Sequence, residues 1–188
     1  MAVRDRVYTA DDLWTLSHEG KRYELDEGVL VEMSPTGDIH GIVAMWIGHL
    51  IVSFVVANDL GYVTAAETGF ILSTNPDIIR APDVAFIAKA HQMPLTGRYY
   101  TIAPDFVVEV VSPGDTANQI RRKVNQFLAA GTRLIWVVYP DERFIDVYRP
   151  GYDIRTVKIE DTLDGGDVLP GLTLPMREVF KPLLEQPE

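Results

Sequence analysis

The 188-residue chain suits one domain, residues 1–188, and its 47% hydrophobic and 23% charged content supplies material for a real core. It has no cysteine, so disulfides and thiolate metal sites are excluded and a reducing cytoplasm is the expected compartment; the start Met1–Arg6 also lacks the apolar stretch of a secretory leader. A net charge of −10 opposes bulk attraction to nucleic acid, whose phosphates dominate such affinity.

A short helix is expected over 10–18, with Thr9 and Asp12 in capping-box positions and Gly20 just past its end. Residues 22–25 and 29–33 read as a hairpin around Asp26-Glu27-Gly28. Ser34-Pro35-Thr36-Gly37 breaks it, and a long helix follows over 38–58. Its stretch 42–57 is apolar but for Gly48, His49 and Ser53. That falls short of the roughly 20 residues a bilayer needs, so it reads as a buried helix with no membrane role. Strands are expected over 62–72 and 81–87, then a loop over 89–101.

The run Phe106-Val107-Val108-Glu109-Val110-Val111 is apolar without alternation, the mark of a strand buried on both faces. Glu109 stands inside it, and an ionised carboxylate there is costly unless it is paired or binds a metal. A helix is expected to start at Ser112-Pro113-Gly114-Asp115 and run to Ala130, stopped by Gly131. Strands over 134–138, 144–148 and 154–159 follow, then short apolar pieces near Leu172 and a turn of helix near Glu178. The order of elements implies an α/β (α+β) fold, a central mixed β-sheet flanked by helices.

Asp83 opens one expected strand and Glu109 lies in the next, so neighbouring strands could bring the two carboxylates together. Mg²⁺ takes a few carboxylate oxygens, a backbone carbonyl and waters; Asp83, Glu109 and the Val110 carbonyl would serve. Gln119, Lys123 and Gln126 share one edge of the following helix, beside the apolar stripe Ile120, Val124 and Phe127. Lys123 could lean from there toward Glu109, to orient water or offset phosphate charge. Glu24 is a further candidate ligand. Each residue has a plainer reading. Glu109 could be a structural acid, Asp83 a strand opener, Glu24 the partner of Arg22, and Lys123 one of a solvated cluster with Arg121 and Arg122. His40, at the start of the long helix, could approach the site. No phosphate-binding glycine loop or G-x-S-x-G elbow occurs.

Tyr23-Glu24-Leu25, Ala81-Pro82-Asp83-Val84-Ala85, Pro104 to Pro113 and the helix bearing Lys123 resemble the "putative restriction endonuclease" family of the PD-(D/E)XK nuclease superfamily. The resemblance spans about residues 8–178. It implies a restriction-endonuclease-like fold, a Mg²⁺- or Mn²⁺-dependent endonuclease acting on nucleic acid, DNA first, and roles for Glu24, Asp83 and Glu109. The superfamily motif has lysine two residues after the second acid, where this chain has Val111. In the resembling family that lysine is relocated to the next helix, which fits Lys123. Gln126 resembles an accessory polar position on the same helix. The contrary expectation is a nuclease-like scaffold without hydrolysis, a binding or interaction module, which the acidic charge and Val111 favour. A third is a metal-free hydrolase with Glu109 as general acid.

Arg22, Arg80, Lys89, Arg98, Arg121 and Arg122, with Lys21 and Lys123, could form a positive rim around the acids despite the negative total. The apolar long helix and the sheet edges suggest a homodimer.

Overall fold

The computed structural model describes residues 6–17, 22–151 and 153–185. Helix α1 spans Ala10–Ser17. The Asp12 carboxylate accepts from the Thr9 N–H and the Thr9 hydroxyl accepts from the Asp12 N–H, so the expected capping box forms; the proposed end at His18 and Gly20 lies outside the described residues. β1 (Tyr23–Asp26) and β2 (Val29–Glu32) make the expected hairpin. Gly28 has φ +75°, and a Cβ there would fall 2.4 Å from a Val7 methyl.

Two departures follow from turns too tight for periodicity to mark. The single strand expected over 62–72 is two, β3 (Gly61–Ala65) and β4 (Phe70–Ser73), which belong to different sheets. The three-residue β5 (Ile78–Arg80) precedes β6 (Val84–Ala88), and the chain leaves strand geometry between them at Ala81–Asp83. β1, β2, β4 and β5 form one four-stranded sheet, in the order β2-β1-β5-β4.

The buried run is β7 (Phe106–Val110). With β8 (Leu134–Tyr139), β9 (Phe144–Arg149) and β10 (Asp153–Val157) it completes a six-stranded sheet, order β10-β9-β8-β7-β6-β3. The β7–β8 pair is parallel and the others antiparallel, the mixed sheet that the sequence implies. Such a parallel pair needs a crossover, and helix α3 (Ala117–Ala130) provides it. α3 starts later than Ser112. Thr116 and Gln119 close a capping box, while Asp115 instead takes the Ser112 N–H in the preceding turn. Gly131, at φ +107°, ends the helix as expected.

The long helix α2 (Asp38–Ala57) lies on the other face. Val43, Ile47, Ile51 and Val55 pack on Val84, Phe106, Val108 and Trp136, whereas α3 packs Val124 and Phe127 on Val107, Ile135 and Val137. Alternation along β7 therefore sends Val108 and Val110 toward α2, and Val107 and Glu109 toward α3. The reading of α2 as a buried helix needs correction: only 22% of its most apolar window is buried, and Met45 and Val56 are more than 70% exposed. By length and composition alone α2 could cross a bilayer; its core face on the sheet argues for a globular role. β11 (Thr162–Asp164) pairs with β12 (Thr173–Pro175), and the short helices α4 (Met176–Val179) and α5 (Lys181–Leu184) end the described chain, with the Trp46 indole N–H bonded to the Glu178 carbonyl.

Candidate active site

The β6–β7 register pairs Val84 with Val108, so one step further it sets Asp83 opposite Glu109. β6 has not yet begun there, and the Asp83 side chain replaces the ladder: its Oδ2 accepts the Val110 N–H at 2.8 Å. The same oxygen lies 3.2 Å from His40 Nε2 on the first turn of α2. Burial works against protonated His40, but Asp83 first, and the Val110 backbone after it, raise its pKa above the ordinary histidine value.

Glu109 Oε2 accepts from Lys123 Nζ at 3.2 Å, across the α3 face of the sheet. Its other oxygen, Oε1, is buried with no hydrogen-bond partner. Burial pushes the Glu109 carboxyl up to about 7; Lys123 pulls it back, and the charges of Asp83 and Glu24 push it further up. Burial also disfavours the Lys123 ammonium, yet Glu109 and Glu24 outweigh that and hold its pKa above the usual lysine value. Lys123 therefore remains a cation, 3.6 Å from Glu24 Oε2, and is no solvated surface lysine.

Glu24 is almost wholly buried, and its partner is not Arg22. The β1–β5 register (Leu25 with Ile79) sets it opposite Arg80, whose guanidinium bonds Glu24 Oε2 at 2.8 Å, while Oε1 takes the Ala81 N–H. Gln126 accepts from Arg80 and donates to Asp26, so it braces Arg80, and among the described residues its hydrogen bonds go to these two and not to Glu109 or Asp83. Arg80 is the residue that sequence reasoning placed on a rim. It is 3% exposed, and its register position opposite Glu24 was the missing signal.

The rest of that rim is largely neutralised. Arg22 pairs with Glu67, Lys89 with Asp59, Arg98 with Asp11, and Arg122 with Asp26 and Glu27; Lys21 lies outside the described residues. Glu24, His40 and Asp83 open into a cleft of about 880 Å³ between α2 and the four-stranded sheet, and Glu109 and Lys123 line a small pocket behind it. Among the described residues no three His, Asp or Glu side chains are grouped so as to hold a metal. A cation would instead rest on the carboxylates of Asp83 and Glu109 with backbone and water oxygens, and the partnerless buried oxygen of Glu109 fits that donor set.

Residues 10–177 match the family described as Uma2, "putative restriction endonuclease". The chain belongs to that family. Membership supports nuclease chemistry in general terms. A crystal structure titled "a putative nuclease belonging to DUF820", from Anabaena variabilis ATCC 29413, superposes with a TM-score of 0.81 at 20% identity, over 92% of this chain and 97% of that one. At that identity the likeness bears on the fold, which is the restriction-endonuclease-like architecture implied by the sequence. No curated protein matches the chain.

Proposed function

We propose that this family member is a divalent-metal-dependent endonuclease that hydrolyses phosphodiester bonds of nucleic acid, DNA being the expected substrate. The observation that supports it best is Glu109 Oε1, a buried carboxylate oxygen with no protein partner beside a retained lysine cation. Asp83, Glu109 and the Val110 carbonyl would hold Mg²⁺ or Mn²⁺. When bound, the ion would polarise a phosphoryl oxygen and lower the pKa of a bound water. Lys123 fixes Glu109 by its hydrogen bond and offers ammonium charge to a developing phosphorane, the role that Val111 cannot fill. Glu24 holds Lys123 in reach from the opposite side. His40 orients Asp83.

Plasmid and oligonucleotide cleavage with Mg²⁺ or Mn²⁺ tests this directly. Glu109→Ala and Lys123→Met should each lose at least about 100-fold, the scale of a removed electrostatic stabiliser. Wild-type rates in either variant would remove the assignment. A second reading, a nuclease-like scaffold that binds without hydrolysis, is favoured by the lack of a three-side-chain metal cluster among the described residues. Titration with Mn²⁺ separates the two, because a pure scaffold shows no binding that depends on Asp83 and Glu109. We also propose a homodimer, with exposed Ile42 and Val56 of α2 as contact points. A sedimentation mass of one protomer at micromolar concentration would discard it.

A further inference from the structure

Two cations compete for one carboxylate oxygen behind the cleft. Arg80 Nη1, on β5, donates to Glu24 Oε2 at 2.8 Å, and Lys123 Nζ, on α3, stands 3.6 Å from the same oxygen. The Ala81 N–H takes Oε1, so both oxygens of Glu24 are bonded without Lys123. Lys123 turns the other way and donates to Glu109 Oε2 at 3.2 Å. It thus lies almost midway between two acids, on a flexible stem with a compact charge that can serve either. Arg80 has no such freedom. Its side chain is 4% exposed and its guanidinium is held along the far edge: Nε and Nη2 donate to Gln126 Oε1 at 2.8 and 2.7 Å, and Nη2 lies 3.1 Å from Asp26 Oδ1. One planar fork so meets three acceptors from β1 and α3, a geometry that an ammonium cannot reproduce. A buried carboxylate stripped of its cation is strongly destabilised, and a second cation within reach relieves it. For Glu24, 1% exposed, that second cation is Lys123.

We propose that Arg80 is a positioning residue: by saturating Glu24 it keeps the Lys123 ammonium on Glu109, the acid at the centre of the site. The consequence for rate rests on the nuclease reading; the position of Lys123 does not. A crystal structure of metal-free Arg80→Met tests that position. Lys123 Nζ should close to about 2.8–3.2 Å from Glu24 Oε2 and withdraw beyond about 4 Å from Glu109. If that variant does not fold, Arg80→Gln, which can still donate to Glu24 but carries no charge, takes its place. Calorimetric titration with Mn²⁺ gives a second readout. Relieved of the ammonium on its Oε2, Glu109 should bind Mn²⁺ at least as tightly as in wild type, whereas a merely distorted site would bind it more weakly. Single-turnover cleavage at saturating Mn²⁺ gives a third. Arg80→Met should lose at least about 30-fold, most of the loss expected of Lys123→Met. Combining the two substitutions should cost no more than about threefold beyond Lys123→Met alone, because both act through one ammonium. Lys123 still bonded to Glu109 in the variant overturns the proposal. So does a Mn²⁺ affinity lower by about tenfold or more, the usual mark of a disturbed ligand set, or losses from the two substitutions that multiply. A wild type that neither cleaves nor binds Mn²⁺ would overturn the nuclease reading, and the position of Lys123 would still decide this one.

Discussion

Asp105 and Glu109 stand at opposite ends of β7, both in surroundings that exclude most water, and the protein treats them differently. Asp105 is 4% exposed; its Oδ2 takes the Ala88 N–H at 2.8 Å, and its Oδ1 lies 2.8 Å from His91 Nδ1. Every oxygen has a partner, and the residue stitches the end of β6 to the start of β7. Glu109 has Lys123 on one oxygen and nothing on the other. A fold that can satisfy a buried acid so fully at one end of a strand shows what a structural carboxylate looks like. The one it leaves unsatisfied has surroundings shaped by some requirement other than stability.

Three substitutions sharpen that contrast, in order of expected effect. Arg80→Leu takes the cation from a nearly buried Glu24 and should cost about 3–5 kcal/mol in urea unfolding, the usual result of breaking a buried pair from one side. A loss below about 1 kcal/mol would mean that Lys123 and the Ala81 N–H suffice to hold Glu24. Asp105→Ala strands the Ala88 N–H and should cost about 2–3 kcal/mol.

Glu109→Gln should do the reverse. The folded Glu109 carboxyl keeps its proton to about pH 7, against 4.5 for an ordinary glutamate. Between those values the native state binds more protons than the unfolded one. The residue's contribution to stability is therefore full below about pH 4.5 and lost as pH rises through 7. Glutamine carries no such penalty, so the variant should be more stable than wild type by on the order of 2 kcal/mol at pH 8, with the gap closing at pH 4.5. Parallel melting curves of the two proteins across that range would refute the unsatisfied state of Glu109. Saturating Mn²⁺ should raise the wild-type melting temperature at pH 8 and leave that of Glu109→Gln nearly unmoved.

Much of this was legible from the residues. β7 announced itself because a strand covered on both faces needs no alternation, and Glu109 stood out against it. α3 was readable from its apolar stripe, which also put Lys123 on the edge that reaches Glu109. Its start was misplaced because Ser112 and Asp115 form a turn that mimics a cap one turn early. The split of β3 from β4 and the existence of β5 were not legible. Three or four residues give no period, and which sheet a strand joins is decided by distant partners. Arg80 was misread for the same reason, since its neutralising acids lie more than 50 residues away in the chain. The histidine was foreseen only as a possible neighbour, because a lone His at a helix start does not say which strand end it will meet.

The hydrogen bond from the Val110 amide to Asp83 has a consequence for how the site should be probed. It makes the aspartate a rung of the sheet as well as a charge, so the separation of the two acids inherits the stiffness of main-chain pairing instead of the play of side-chain torsions. Truncation to alanine would remove rung and charge together, and any lost activity could then be blamed on either. The substitution Asp83→Asn, which leaves an amide oxygen still able to accept from Val110, keeps the scaffold and deletes only the electrostatics.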